Sequence, residues 1–294
     1  MKVARSFVLG LTLAGCLTVS GCVPVEPTPV PTISSRVEVD PEAAALLPSR
    51  YVADGILKVA IDPTYAPNES MDGHGNPVGW EVELGNALAA RLGLRMQFTN
   101  VVFGSILPGV ENGDYDLGLS SMFDTATRRE MVDMVDYYIA GTQWAQRVGG
   151  VTVDPNNACG LVVSVQTGSF QAEVDLVQRN KKCLATGREK IHILTYTDQS
   201  DSISAVKLGH ADAVVADSPV TQYEVQSSAG KLEIAFKPYD EKYYGIAIQK
   251  GNGLGPALQR SMQSLINDGT YRTILAAWGV QQGAVPKALM NAGG

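Results

Sequence analysis

From residue 55 onward the sequence repeats one pattern: a short apolar run, a turn, then a stretch with helical spacing. "LKVAI" (57–61) leads to "WEVELGNALAARLG", which carries helix periodicity and stops at a glycine. Next come "LRMQFTN", a short helix around "SILPGVENG", "YDLGLS" (115–120) and "TQWAQRV". A second series follows the pair Gly149 and Gly150. It runs through strand "LVVSV" (161–165), helix "QAEVDLVQRN", strand "IHILT", helix "DSISAVKLG", strand "DAVVA" (212–216) and helix "SPVTQYEVQSS". Strands "KLEIAF" and "YYGIAIQ" then lead to two closing helices, "GPALQRSMQSLIND" and "GTYRTILAAWG". Strands alternating with helices predict an α/β fold, with mainly parallel sheets covered on both faces.

About 270 residues of such a pattern exceed what one open sheet needs, so two lobes are expected. The two series also echo each other, in "GDYDL" (113–117) and "GHADA" (209–213), each leading into a strand. The expected boundaries are 41–147 with 240–294 for lobe 1 and 148–239 for lobe 2, with two crossings between them.

The N-terminus sets the compartment. Lys2 and Arg5 precede the apolar run "FVLGLTLAGCLTVSGC", a secretory leader too short to span a bilayer. "VSGC", ending at Cys22, resembles a bacterial lipobox, whose cysteine is lipidated and becomes the mature N-terminus. "LAGC" at Cys16 fits the same pattern, but the apolar run before it would be unusually short. Residues 1–21 are therefore read as a lipoprotein signal peptide and 22–40 as a proline-rich tether, "VPVEPTPVPTISS" and its flank. This places the globular part outside the cytoplasm, held to the cell membrane by a lipid. Removing the leader takes Lys2 and Arg5 and no acid, leaving 21 bases against 30 acids. Such an acidic surface excludes nucleic acid as a partner. Cys159 and Cys183 are the remaining cysteines of an exported chain and are expected to form a disulfide, worth roughly 3.5 kcal/mol for a loop of this length. His74, His192 and His210 stand apart without ligand spacing, so no metal site is expected, and no cofactor motif is present. "GNGLG" (251–255) has its third glycine misplaced for a dinucleotide fingerprint.

In open α/β sheets ligands bind beyond the carboxyl ends of the strands. Those ends carry Asp62 and Tyr65, then Ser120, Ser121 and a helix start with Arg128, then Thr167, Gly168 and Ser169, and finally Asp217. One cation, two carboxylates, hydroxyls and an aromatic suit a small zwitterion held between lobes. Arg128 suits a carboxylate because a guanidinium donates two parallel hydrogen bonds. Helix starts near residues 125 and 169 would add free backbone N–H groups. Each feature has a plainer use, Asp217 as a helix cap and Trp80 as core, but their convergence on strand ends favours a site.

"DPTYAPNES…GNPVGWEVELGNALAARLGL", "GDYDLGLSSMFDTATRRE", "VVSVQTGSFQAEV" and "GHADAVVADSPVTQYEV" also resemble the polar-amino-acid solute-binding proteins of bacterial ABC importers, over roughly residues 40–285. The resemblance implies the two-lobed, type II periplasmic-binding-protein-like fold, no enzymatic activity, and a monomer that delivers its ligand to a membrane permease and its ATPase. It implies that Arg128 grips the ligand α-carboxylate, Asp217 the α-ammonium, Tyr65 and Phe103 the side chain, and Asp62 its far polar end. Ser121, Met122, Phe123, Gly168, Ser169 and Phe170 would line the cleft. Asp62 with Tyr65 and Phe103 points to a basic or amide side chain. Two positions depart from the family pattern: Phe123 replaces a frequent hydroxyl residue and Asn68 a frequent aromatic. The rival readings are an envelope sensor and a cyclohexadienyl-dehydratase-like enzyme, for which Glu69 and Glu173 would be the acids to inspect.

Overall fold

The computed structural model describes residues 36–293. Two short helices, α1 (Pro41–Ala44) and α2 (Ser49–Asp54), come first. The Asp40 carboxylate caps α1 by accepting from the N–H groups of Glu42 and Ala43 (3.0 and 3.2 Å). Arg91 donates to the Glu38 carbonyl (2.9 Å) and accepts from the Asp40 N–H through its own carbonyl (2.8 Å). Residues 38–40, which the sequence reading placed in the tether, thus lie against the body of the protein. Cys16 and Cys22 lie outside the described residues.

Strand β1 (Ile56–Ile61) is followed by three short strands, β2 (Thr64–Tyr65), β3 (Glu69–Met71) and β4 (Pro77–Val78), paired antiparallel in a small sheet of their own. The chain continues through α3 (Trp80–Arg91), β5 (Arg95–Asn100), α4 (Ile106–Asn112), β6 (Leu117–Gly118), α5 (Ala126–Met131) and the 16-residue β7 (Val132–Arg147). Beyond it come β8 (Val162–Gln166), a π-helical turn (Gln171–Asp175) running into α6 (Leu176–Ala185), β9 (His192–Tyr196), α7 (Gln199–Lys207), β10 (Ala213–Asp217) and α8 (Ser218–Ser227). The last elements are β11 (Leu232–Ile234), β12 (Tyr239–Gln249), α9 (Gly255–Asn267), α10 (Thr270–Ala277) and β13 (Ala284–Met290).

The main sheet runs β5-β1-β6-β12-β7-β10-β8-β9, with β11 and β13 also on β7. Pairing is parallel on both flanks (β1 with β5 and β6, β8 with β9 and β10) and antiparallel where β7 and β12 meet their neighbours. Strand β7 holds the two halves together. Its first part pairs with β12 and β13, its last part with β10 and β11. Almost every residue of β7 is buried, as a strand covered on both faces must be.

The two flanks are built on one plan, and the sequence echo shows why. In "GDYDL", Gly113 ends α4 in the left-handed region (φ 82°), and Asp116 then clasps β1. Its carboxylate accepts from the Lys58 N–H (2.8 Å) and its N–H donates to the Lys58 carbonyl (2.9 Å). In "GHADA", Gly209 (φ 80°) ends α7, and Asp212 clasps Val162 of β8 in the same two ways, both at 2.8 Å. Both glycines supply the positive φ that a helix C-cap needs, and both aspartates align a new parallel strand on the old one.

The first flank packs Leu57, Leu84, Leu88, Ile246, Leu258 and Ile274 on one face and Ile106, Val110 and Met134 on the other. The second packs Trp144, Val163, Val215 and Leu176 on one face and Ile203, Val206, Val214 and Val220 on the other. Trp80 is fully buried core. Cys159 and Cys183 are disulfide-bonded, Cα atoms 5.7 Å apart, tying the approach to β8 to the end of α6. Helices α9 and α10 return to the first flank. Ser261 donates to the Leu88 carbonyl (3.0 Å) and Tyr271 to the Tyr137 carbonyl (2.6 Å).

Two differences from the expected element order matter. The helices do not close the chain, because β13 follows them and pairs with β7. Its register jumps between Ala284 and Leu289, around Pro286, and this removes the alternation that would mark a strand. The segment after β1 is not a plain loop either. The hairpin β2–β3 carries Tyr65 across to the second flank, where it packs with Ala145, Ile203 and Val220.

Candidate functional site

Asp62 directly follows strand β1, and its N–H donates to the Ser120 hydroxyl (3.1 Å) two residues beyond β6. Its carboxylate accepts from the amide of Gln166 (2.6 Å), at the end of β8 on the opposite flank. The hairpin beyond it makes a second bridge, since Thr64 accepts from the Gln199 N–H (3.1 Å). The Tyr65 hydroxyl accepts from the Asp217 N–H (3.3 Å). The flanks are therefore closed on one another along this edge.

Arg128 sits in the first turn of α5. Thr125 caps that helix, accepting from the Arg128 N–H at 3.3 Å, so the start of α5 is partly satisfied from within. At the second helix start the Ser169 hydroxyl donates to the Gln166 carbonyl (2.7 Å) and accepts from the Ala172 N–H (3.2 Å). Ser169 thus serves its own turn. The Arg128 guanidinium is 9% exposed, donates to the carbonyls of Phe123 (3.1 Å) and Gly168 (3.2 Å), and lies 5.6 Å from the Phe103 ring centre. Among the described residues it makes no ion pair within 4.0 Å. Burial pushes its pKa down, against the pull of Glu173, Asp217 and Tyr65. A buried guanidinium that meets only carbonyls is short of an anion.

Asp217 ends β10 and precedes α8, where its side chain makes no cap bond to the helix. It turns inward, accepting from Gln171 and from the Tyr244 hydroxyl, both at 2.7 Å. The plainer cap reading is thereby set aside. Burial raises its pKa to about 6, although Tyr244, Gln171, Tyr65 and the charge of Arg128 all act the other way. It too has no ion pair among the described residues.

Arg128 and Asp217 face one narrow enclosed space of about 10 Å³. Tyr65, Phe103, Ser121, Phe123, Ser169 and Phe170 line it with them, as do Gln166 and Gln171. Phe170 meets Phe123 edge-on (5.7 Å, 86°), giving the space an aromatic wall. Arg128 also borders a wider apolar recess of about 200 Å³ that meets Met122, Gly168 and the exposed Glu173. Five residues named from the sequence stand back from the enclosed space, Met122 among them, since it lines the wider recess instead. Ser120 gives its hydroxyl to Glu69 (2.7 Å), Thr167 is exposed, Gly168 offers its carbonyl to Arg128, and Asp62 lies behind Gln166.

Sequence reasoning passed over Gln166, Gln171 and Tyr244, uncharged residues without a motif of their own. It also missed a buried acid network beneath Ser121. Glu81 accepts from the Ser121 N–H (3.0 Å), the Ser121 hydroxyl (2.7 Å) and the Tyr137 hydroxyl (2.7 Å). Asn68 donates to the Ser121 hydroxyl and accepts from the Trp80 indole, both at 2.7 Å, a polar task that no aromatic residue at 68 could perform. Glu69 and Glu81 are both fully buried. Burial raises the pKa of both, and the charge of Glu81 adds to the rise at Glu69. Together they hold Ser121, a residue with φ 50°, against the ligand space.

Comparison with known proteins follows the same lines. Residues 57–281 match the profile of the bacterial extracellular solute-binding proteins, family 3. The arginine-binding protein ArgT of Corynebacterium glutamicum is 37% identical, over 98% of this chain and 93% of that protein. The solved structure of an ancestral arginine-binding protein bound to arginine superposes with a TM-score of 0.69 at 28% identity, covering 76% of this chain and 98% of that one. An ancestral amino-acid-binding protein described as a precursor of cyclohexadienyl dehydratase gives a TM-score of 0.68 at 26% identity, over 80% of this chain and 99% of that one. With a matching profile over most of its length, and two buried charges that face one cleft unpaired among the described residues, this chain belongs to family 3 of the bacterial extracellular solute-binding proteins.

Proposed function

We propose that this protein captures a free polar amino acid between its two flanks and presents it to a membrane permease and its ATPase. The carrying observation is that Arg128 and Asp217, one from each flank, face one enclosed space, both buried and neither ion-paired within the described chain. The ligand's carboxylate and ammonium supply the missing partners, and a molecule lacking either end leaves one buried charge uncompensated. A ligand that touches both flanks stabilises their closure by its differential affinity for the closed state. A basic or amide side chain is favoured, in keeping with relatives named for arginine and histidine. A binding role is preferred to an enzymatic one. Of the two acids an enzyme would recruit, Glu69 is locked under the serines and Glu173 stands outside the enclosed space. Calorimetry against the common amino acids tests the reading: heat is expected for one or a few of arginine, lysine, histidine and glutamine. Intact protein that responds to no amino acid would overturn it.

The ammonium requires an ionised Asp217, whose pKa is raised to about 6. Affinity is therefore expected to be flat above pH 7 and to fall as pH drops through 6, by roughly tenfold at pH 5 for this group alone. The sign follows from the raised value: burial favours the neutral acid, so protonation competes with ligand. Asp217→Asn is expected to bind about 10- to 100-fold more weakly and to lose most of this pH dependence. Both are read from titrations between pH 5 and 8.

We further propose that Cys22 carries a lipid and residues beyond it tether the protein to the outer face of the cell membrane. Cys22→Ala should release the protein from the membrane fraction. Release by Cys16→Ala alone would instead assign the lipid to Cys16.

A further inference from the structure

Residues 284–293 lie past residue 281, where the match to the family profile ends. Strand β13 runs along β7, and the three residues after it reach the start of α5. Asn291, in the left-handed region at φ 53°, grips Met134 twice. Its N–H donates to the Met134 carbonyl (3.0 Å) and its Oδ1 accepts from the Met134 N–H (2.8 Å). Its amide also donates to Asp133 (3.1 Å). The Ala292 N–H then donates to Asp136 (3.0 Å) and the Gly293 N–H to Asp124 (2.8 Å). Both acids are fully buried. Burial raises the pKa of Asp136 to about 7, Asp124 beside it acts in the same direction, and the Ala292 N–H opposes them. Adjacent buried acids need donors, and this segment brings two.

Asp124 is the link to the cleft. It stands between Phe123, which lines the enclosed space and gives its carbonyl to Arg128 (3.1 Å), and Thr125, which caps α5. Its N–H is held by the Tyr243 carbonyl of β12 (2.7 Å). Its carboxylate is shared between the Gly293 N–H and Arg129, the latter at 3.0 Å. Arg129, the neighbour of Arg128 on α5, donates in turn to the Gly293 carbonyl. The approach is too close for a side chain. A Cβ on Gly293 would stand 2.1 Å from the Asp124 carbonyl oxygen and 2.6 Å from its carboxyl carbon.

We infer that residues 291–293 are a positioning brace for the anion clamp: through Asp124 and Arg129 they fix the first turn of α5, and with it the direction of the Arg128 guanidinium. This inference rests on the amino-acid reading above and adds to it a part of the chain outside the matched family region. Asp124, Arg129 and Gly293 are not among the residues lining the enclosed space, so they act through Arg128. Losing the brace leaves Asp124 buried with one donor fewer, and the backbone at 123–125 shifts to find another. A guanidinium displaced in this way forfeits its paired bonds to a carboxylate and loses little toward a neutral group.

The experiment uses two probes on purified full-length protein. One is whichever of arginine, lysine, histidine and glutamine binds wild type best, and the other is the same molecule with its α-carboxylate converted to a carboxamide. Wild type should favour the acid by at least about 30-fold. Gly293→Val, which drives a side chain into Asp124, should lower that ratio by about 3- to 10-fold while the amide binds as before. Arg129→Gln, which breaks the brace from the helix side, should do the same. Arg129→Lys, which keeps a charged donor, should recover part of the ratio. Should Gly293→Val not fold, the two Arg129 variants carry the test. An unchanged ratio, whether Tm falls or both probes weaken equally, marks a role in packing alone and overturns the inference, leaving amino-acid capture intact. Wild type that binds acid and amide alike overturns it too, because no anion clamp is then there to position. Wild type that binds no amino acid overturns both readings.

Discussion

Arg128→Met is expected to weaken ligand binding by on the order of 2–5 kcal/mol, roughly 30- to 5,000-fold in Kd. The guanidinium now meets the carbonyls of Phe123 and Gly168 and the face of Phe103, and it is buried among them with no carboxylate of the described residues paired to it. Methionine fills the same room with no donor, so the ligand's carboxylate would enter a site with nothing to replace its water. Folding should not suffer equally, since the change also removes a buried charge that no described residue pairs. Calorimetry and a thermal melt separate the two effects. A variant that melts like the wild type yet binds within about threefold of it would show that Arg128 is not the anion clamp.

The second large effect is on stability, at a glycine far from the charges. Gly79 precedes α3 with φ 138°, a backbone region nearly closed to other residues, and a Cβ there would stand 2.1 Å from the Asn68 carbonyl oxygen. That carbonyl accepts from the Glu81 N–H (3.1 Å), so neither side of the contact can yield without loosening the Asn68–Ser121–Glu81 network. Gly79→Ala is expected to cost about 3–5 kcal/mol, which for a chain of this size lowers Tm by roughly 6–15 °C. Ligand affinity should fall as well, because Ser121 borders the ligand space. An unchanged melting curve would show that the hairpin and α3 relax more freely than their contacts imply.

Much of this site is legible in the chain because charge and position coincide. Arg128 and Asp217 are charged residues directly after buried strands, where an α/β sheet exposes its binding edge. Tyr65 follows the first such strand. The aspartates of "GDYDL" and "GHADA" repeat because each flank needs the same clasp between its first strand and a later one. Other parts have no local signature. Gln166 and Asp62 are 104 residues apart, and their contact exists only because the flanks close on each other. Tyr244 reads as a core residue of β12, and nothing in "YYGIAIQ" distinguishes the hydroxyl that reaches Asp217. Glu69 and Glu81 look like solvated acids in sequence, yet both are fully buried, because the serines at 120 and 121 and Tyr137 satisfy them from two other segments.

Periodicity and composition alone determined the alternation of strands and helices, the two-part architecture, the disulfide pair and which strand ends carry charge. These follow from the repeat of side chains along one segment, which local geometry imposes. Only the tertiary structure decided which residues share the cleft, which serine caps its own helix, and that an amide stands between the ligand space and Asp62. Those outcomes depend on how β7 and the Tyr65 hairpin bring the two flanks together, and distances between segments set by such packing leave no period in the chain.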